Sequence, residues 1–151
     1  MCIRDRIETL KNYLALEQFS RNNSFDFELL IPEDLETEAL QIPPMLIQPF
    51  VENAIKHGMA KEIENGKIKV GFSIKGQSLE CLVEDNGVGR ERARQIKSQQ
   101  EAQHQSMALQ VTRERLELLG TEQRMKIIDL KDADGNVLGT QVILKLPLRY
   151  V

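Results

Sequence analysis

Hydrophobic and polar residues follow two different periods along this chain, one helical and one extended. The apolar residues of the first segment recur near helical spacing: Ile7, Leu10, Leu14 and Leu16. They predict an amphipathic helix from about residue 4 to residue 21. Alternation over residues 24–31 then predicts a strand, which Pro32 ends.

A second helix is predicted between a proline pair and a glycine. Pro43 and Pro44 open this helix, which runs to His57, and Gly58 is its expected C-terminal stop. Because Pro49 lies inside the predicted helix, we expect a local kink there.

The second half of the chain alternates between strands and one long helical segment. Residues 68–74 and 79–83 have period-two patterning, and their short connection predicts a hairpin. Residues 90–100 are compatible with a helix, whereas the polar stretch 99–105 has no apolar period and predicts a loop. Residues 106–119 predict another helix, stopped by Gly120. Two last strands follow, at residues 125–130 and 141–146, with a turn through Asp134, Gly135 and Asn136.

This order of elements predicts an α/β two-layer sandwich. The sheet is expected to be mixed and mostly antiparallel, with helices on one face. The 151 residues, 41% of them hydrophobic and 28% charged, fit one globular domain with a core of ordinary size.

Composition argues against several classes of function. The formal net charge of -3, the absence of Trp and the presence of only two Tyr argue against binding of nucleic acid. Cys2 and Cys81 are too far apart for a disulfide framework or a zinc site, and Cys81 is expected to be a buried, reduced strand residue. A reducing cytoplasm fits this pattern. No apolar run approaches the roughly 20 residues that cross a bilayer, and no signal-peptide pattern is present.

The predicted second helix carries the first candidate for chemistry. Asn53, Lys56 and His57 are three and four residues apart, so one face of a helix can direct them at one ligand. An amide oxygen suits a Mg²⁺ ion whose other ligands are phosphates and water, and a lysine can offset phosphate charge. The alternative, which the helix alone favours, is a polar, solvent-facing surface.

Asp85 is the second candidate, at the end of a predicted strand. Its carboxylate can accept a hydrogen bond from the exocyclic amine of adenine and would repel the carbonyl oxygen that guanine has there. The glycines after it, Gly87 and Gly89, let a backbone approach a base and hinge a lid. Taken alone, an Asp-Asn-Gly sequence is as often simply a turn.

Two later segments are weaker candidates. The predicted loop that runs into a helix capped by Ser106 is a natural phosphate site, because the first amides of a helix are unpaired. An ordinary capped surface helix is the alternative. Gly139 and Thr140 would place a small backbone and a hydroxyl beside a nucleotide, or form the end of a hairpin.

Residues 50–58 and 83–89 together resemble the N-box and the first glycine box of the Bergerat (GHKL) ATP-binding fold. That fold is shared by sensor histidine kinases, gyrase-type topoisomerases, Hsp90 chaperones and MutL repair ATPases. Residues 42–58 most resemble the N-box of LytS-like histidine kinases that partner LytTR-type response regulators. Residues 10–17, 112–119 and 139–142 also match segments of that family, so the resemblance covers nearly the whole chain.

The resemblance implies a role for each matching residue. Asn53 would bind Mg²⁺ and act in catalysis together with Glu52. Glu52 would either polarise the reacting phosphoryl system or orient Asn53. The alternative for Glu52 is an ion pair with Lys56. The implied ATP-binding residues are Asn53, Lys56, His57, Asp85, Gly87, Gly89, Ser106, Ala108, Leu109 and Thr140. Mg²⁺ with ATP is the implied cofactor.

The chain departs from the family pattern at two points. Residues 106–109 replace the family's second glycine box, a Gly-x-Gly-Leu turn, and this change bears on phosphate affinity and lid closure and not on adenine binding. His57 and His104 are the only histidines, and neither lies in the Pro-His-Phe context of the family's phosphoacceptor.

The resemblance also divides the chain. We expect residues 1–21 to be the end of an upstream helix and residues 22–151 to form the ATP-binding domain.

The resemblance also implies partners that this chain does not contain. The phosphoacceptor histidine would lie on dimerisation helices of a longer, homodimeric and membrane-anchored sensor, so this domain should not autophosphorylate alone. A LytTR-type response regulator would act downstream, and this domain would lie on the cytoplasmic side of the inner membrane.

Two other functions stay open. One is an ATPase switch of the gyrase, Hsp90 or MutL kind, although Pro49 occupies the position of the general-base Glu of those enzymes. The other is a degenerate regulatory module, which the replaced second glycine box motivates.

Overall fold

The computed structural model describes residues 2–22, 25–43, 46–58, 65–87, 99–118 and 125–150. Within these ranges, the side chains of residues 57, 58, 99–106 and 108 are outside the description. The elements are α1 (Ile3–Ser20), β1 (Phe25–Leu30), α2 (Gln48–Asn53), a π-helical segment (Ala54–Gly58), β2 (Gly66–Lys75), β3 (Ser78–Asp85), α3 (Gln99–Leu118), β4 (Met125–Lys131) and β5 (Val137–Pro147).

The strands form one five-stranded sheet in the order β1-β2-β3-β5-β4. β1 pairs with β2 in parallel, and the other three pairings are antiparallel. This mixed, mostly antiparallel sheet confirms the predicted α/β sandwich. The register places Asp85, the last residue of β3, opposite Ile68 of β2 and Thr140 of β5.

The two faces of the sheet differ in polarity, as the period-two patterning predicts. On β3, the buried side chains are Leu79, Cys81, Val83 and Asp85. The opposite face carries polar ladders across strands, where Glu84 meets Lys69 at 3.9 Å and accepts a hydrogen bond from Gln141 at 3.1 Å. Cys81 is free and fully buried, which confirms the prediction of a buried strand residue, and this burial raises the pKa of its thiol.

The first helix belongs to the same hydrophobic core as the sheet. Its buried side chains are Ile3, Ile7, Leu10 and Leu14. Two amides of its first turn are satisfied by the loop before α2, because Ile3 donates to the Leu40 carbonyl at 2.8 Å and Arg4 to the Thr37 carbonyl at 3.0 Å. The prediction of a helix here is therefore confirmed. None of the described helices has the length and apolar character needed to cross a membrane.

The expected kink at Pro49 is wrong. The helix begins at Gln48, not at the proline pair, so Pro49 lies in its first turn. A proline there removes no intrahelical hydrogen bond, and its fixed φ suits the first turn. The irregularity lies further along instead, in the π-helical segment that follows Asn53.

The predicted loop over residues 99–105 is also wrong. Residues 99–118 form one continuous helix, so Ser106 lies within α3 and does not cap it. Glutamine, glutamate and alanine are good helix formers, so a stretch without an apolar period can still be helical. Most of the helix considered for residues 90–100, and the stop at Gly120, lie outside the described residues.

The last strand begins earlier than the sequence predicts. The predicted turn through Asp134 and Gly135 is present, and the Asp132 carboxylate caps it by accepting the Asn136 amide at 2.9 Å. Because β5 starts at Val137, Gly139 and Thr140 lie inside the strand and not at a hairpin end. The register shifts at Leu130/Lys131, directly opposite this part of β5.

Candidate nucleotide-binding site

The candidate site is built around the buried carboxylate of Asp85. This side chain is 7% exposed and follows three apolar residues on the inner face of β3. Desolvation by burial raises its pKa to about 6, although hydrogen bonds from the Gly87 and Thr140 backbones act in the opposite direction. The carboxylate is therefore ionised at neutral pH but poorly solvated, which favours a ligand that offers an N–H donor.

The turn after Asp85 is held to the neighbouring strand by Asn86. The Asn86 Oδ1 atom accepts the Lys67 amide at 2.7 Å, and Nδ2 donates to the Asn65 carbonyl at 3.0 Å. The Gly87 amide then donates to Oδ1 of Asp85 at 2.8 Å. These contacts fix the chain direction at the mouth of the site. Sequence reasoning assigned Asn86 no role, although its position between an aspartate and a glycine is typical of a side chain that bonds nearby backbone.

Gly139 allows β5 to approach this turn closely. Its φ is +153°, and a Cβ built there would lie 1.9 Å from the Asp85 carbonyl oxygen and 2.8 Å from the Asn86 Cα. Only glycine fits such a position. The next residue, Thr140, is half-buried and lies opposite Asp85 in the ladder. The structure thus brings Asp85, Gly87 and Thr140 together.

The N-box residues lie on the helix that packs under β3. Ala54 and Ile55 are buried, and their π-helical segment contacts β3. Asn53, the last residue of α2, is half-buried, whereas Lys56 is exposed. Because a π-helical turn bonds residues five apart, residues three apart lie further out of phase than in an α-helix. Lys56 therefore shares a face with Asn53 less fully than α-helical spacing predicts.

Glu52 is held by its own helix. Its Oε1 atom accepts a hydrogen bond from Nε2 of Gln48 at 3.2 Å. Across the ion pairs of the described residues, the alternative pairing of Glu52 with Lys56 is not formed. The carboxylate is consequently available beside Asn53.

The residues that replace the second glycine box lie on α3. Leu109 is half-buried, Thr112 and Leu116 are buried, and α3 contacts α2. The structure describes only the helical backbone at Ser106 and Ala108, and the side chain of His57 and all of Gly89 are outside the description. The assignments of these four residues stay predictions.

The side chains of the candidate site suit a Mg²⁺ ion that takes most of its ligands from water and substrate phosphates. In the described ranges, no group of three or more His, Cys, Asp or Glu side chains could form a protein cage for a metal. Mg²⁺ keeps several waters and binds through few protein groups plus substrate phosphates, so a single amide such as Asn53 is compatible with it.

Comparison with known proteins places this architecture in a family. The profile described as "Histidine kinase-, DNA gyrase B-, and HSP90-like ATPase" matches residues 44–150. The fold is also that of mycobacterial sensor histidine kinase MprB, with a TM-score of 0.62 at 15% identity over 97% of this chain and 96% of that one. The catalytic domain of histidine kinase ThkA has a TM-score of 0.59 at 21% identity, over 97% of this chain and 94% of that one. The chain belongs to the histidine kinase-, DNA gyrase B- and HSP90-like ATPase family.

The relatives that match in sequence include several sensor kinases. The sensor histidine kinase BtsS of Escherichia coli is 33% identical over 84 residues, which is 56% of this chain and 15% of that protein. The sensor protein LytS of Staphylococcus epidermidis is 37% identical over 87 residues, which is 58% of this chain and 14% of that protein. These matches agree with the resemblance of the sequence to LytS-like sensor histidine kinases. The chain spans about a seventh of the length of these relatives.

Proposed function

We propose that this chain binds Mg²⁺-ATP and presents its γ-phosphate to a histidine carried by another part of a longer sensor kinase. The observation that carries the proposal is the buried Asp85 carboxylate, framed by Gly87 and Thr140 and lying on the strand that contacts the N-box helix. Its charge and desolvation fit recognition of the exocyclic amine of adenine.

Each residue has a defined task in this proposal. Asp85 accepts the adenine amine, and Gly139 lets β5 close the pocket beside it. Asn53 supplies an amide oxygen to Mg²⁺, while Glu52 orients that amide or polarises the reacting phosphoryl system. Lys56 and His57 offset phosphate charge. Phosphoryl transfer requires little covalent chemistry from the protein, so positioning and charge neutralisation carry the catalysis.

The proposed partners follow from the resemblance of residues 42–58 to LytS-like sensor kinases. A histidine on dimerisation helices of the same parent would receive the phosphoryl group, and a response regulator of the LytTR type would take it next. We place this domain on the cytoplasmic side of a homodimeric, membrane-anchored parent.

Phosphoryl transfer in vitro tests the proposal. The chain is mixed with labelled ATP, Mg²⁺ and the parent's dimerisation helices, and acid-labile phosphohistidine is measured. We expect labelling of those helices, its loss with Asp85→Asn, and no change with Glu80→Gln, a matched carboxylate on the outer face of β3. Tight Mg²⁺-ATP binding without any labelling would contradict the kinase function.

A second candidate function is nucleotide binding without transfer. The observation that favours it is the continuous helix through residues 106–109, where the family has a glycine-rich turn. In that case, the chain binds ATP but transfers no phosphoryl group to the dimerisation helices.

An ATPase switch has no comparable support, because Pro49 in the first turn of α2 leaves no carboxylate at the expected general-base position.

A further inference from the structure

The pairing between β2 and β3 ends irregularly at Asn86. In an antiparallel ladder, opposed residues alternate between pairs that exchange two main-chain hydrogen bonds and pairs that exchange none. Ile68 lies opposite Asp85, so Lys67 and Asn86 form the next pair. The Asn86 amide donates to the Lys67 carbonyl at 3.2 Å, as a regular ladder requires. The Lys67 amide, however, donates to the side-chain Oδ1 of Asn86, at 2.7 Å. The Asn86 side chain therefore takes the place of its own main-chain carbonyl.

This replacement lets the chain turn directly after Asp85. Because Oδ1 accepts the Lys67 amide, the Asn86 carbonyl does not have to stay in line with the strand. The Nδ2 atom donates to the carbonyl of Asn65, directly before β2, at 3.0 Å, so both ends of the side-chain amide are fixed. The Gly87 amide then points back and donates to Oδ1 of Asp85 at 2.8 Å.

The Asp85 carboxylate is held from two sides, and one of them depends on Asn86. On the β5 side, Thr140 lies opposite Asp85 in a regular ladder, so its backbone position is set by the sheet. On the other side, Gly87 lies beyond the end of β3. The hydrogen bonds of the exposed Asn86 side chain tie this turn to the start of β2.

We propose that Asn86 is a positioning residue for Asp85: by accepting the Lys67 amide on its side chain, it turns the chain so that the Gly87 amide holds Oδ1 and the carboxylate keeps one orientation towards adenine. The inference rests on the proposed function, because its ligand is the adenine of that site. It also implies that, without the side-chain amide, the main-chain carbonyl at position 86 returns to the ladder and draws the Gly87 amide away from Asp85.

Adenosine binding by the whole chain, followed by NMR titration at about pH 8, tests this role. Asn86→Ala should lower adenosine affinity about five-fold, the value of one ordinary hydrogen bond. Asn136→Ala is the matched control, because the exposed Asn136 amide also ties a turn, donating to Oδ2 of Asp132 at 3.2 Å. It should lower the unfolding midpoint to a similar extent and leave adenosine affinity unchanged.

A conservative variant separates the two hydrogen bonds of the side chain. Asn86→Asp keeps an oxygen for the Lys67 amide and loses only the donor to the Asn65 carbonyl. Its adenosine affinity should stay within about two-fold of the wild-type value. A loss equal to that in Asn86→Ala would overturn the role assigned to Oδ1.

The Gly87 amide proton gives a readout that a purely structural role would not change. Burial raises the pKa of Asp85 to about 6, so the chemical shift of an amide bonded to its carboxylate should change through that pH. The nearby Glu84 carboxylate is the same in every variant. The change should be full in the wild type and in Asn136→Ala, and much smaller in Asn86→Ala.

An unchanged Gly87 titration or an unchanged adenosine affinity in Asn86→Ala overturns the positioning role and leaves the proposed function intact. Absence of adenosine binding by the wild-type chain overturns both.

Discussion

Asp85 is buried at a position where its charge serves ligand recognition and opposes folding. Burial raises the pKa of the Asp85 carboxyl from 3.8 to about 6, so the folded state binds its proton more tightly than the unfolded state does. The stability that Asp85 contributes is therefore fully present below pH 3.8, and it is lost as the pH rises through about 6. At neutral pH, the folded chain carries an ionised group that it desolvates.

Asp85→Asn should therefore stabilise the fold while it disables the site. The amide keeps an oxygen for the Gly87 N–H but carries no charge, so the free energy of unfolding at about pH 8 should rise by up to about 3 kcal/mol. The gain should vanish by about pH 4, near the ordinary carboxyl pKa. ATP affinity should fall at least about ten-fold. Urea unfolding at both pH values and calorimetry measure these effects, and a destabilised variant at about pH 8 would contradict the account.

Adenine recognition should depend on pH through the same group. Below about pH 6 the carboxyl is protonated and becomes a weaker acceptor, so adenosine affinity should fall as the pH is lowered through that value. Adenosine is the suitable probe because it has no phosphate that titrates in this range. An NMR titration of the wild-type chain should show the dependence and the same titration of Asp85→Asn should not; matching profiles would exclude Asp85 as its source.

Gly139 is the second residue on which the site depends. In Gly139→Ala, the new Cβ would lie 1.9 Å from the Asp85 carbonyl oxygen, so β5 must move away from β3. We expect a loss of more than about 2 kcal/mol in the free energy of unfolding, together with loss of ATP binding. Gly135→Ala is the control, because Gly135 also has positive φ but its Cβ would meet nothing within 4 Å. It should cost about 1 kcal/mol from backbone strain alone. Equal losses in urea unfolding would show that the close approach does not matter.

At the scale of elements, α1 packs into the same hydrophobic core as the sheet. Leu14 is fully buried in the shared core, whereas Leu16 on the same helix is 69% exposed. Leu14→Ala should lower the free energy of unfolding by about 3 kcal/mol, and Leu16→Ala by less than about 0.5 kcal/mol. Urea unfolding decides between this account and a detachable linker helix, for which both substitutions would have small effects.

The elements also show where local sequence signals succeed. The strands follow period-two alternation, and the buried residues of β3 are those that the pattern predicts. These sequence signals fail where the same residue type is compatible with two different local structures. Pro49 is compatible with a kink inside a helix or with the first turn of one, and the polar residues 99–105 are compatible with a loop or with a helix. Only the surrounding structure decides between these outcomes.

At the scale of the whole molecule, the pairing of strands is the part that local sequence leaves open. The hairpins β2-β3 and β4-β5 follow from short connections, but the parallel pairing of β1 with β2 and the place of β5 between β3 and β4 join distant segments. The approach of Gly139 to Asp85 depends on that long-range register. Sequence therefore indicates both residues as candidates, and only the fold brings them together.

Calorimetric titration of the whole chain with ATP, with and without Mg²⁺ and beside GTP, tests the central claim most directly. A buried carboxylate at the adenine position and an amide for Mg²⁺ predict tighter binding of ATP with Mg²⁺ than without it, and at least about ten-fold weaker binding of GTP. Equal affinities for ATP and GTP, or no nucleotide binding at all, would contradict the account.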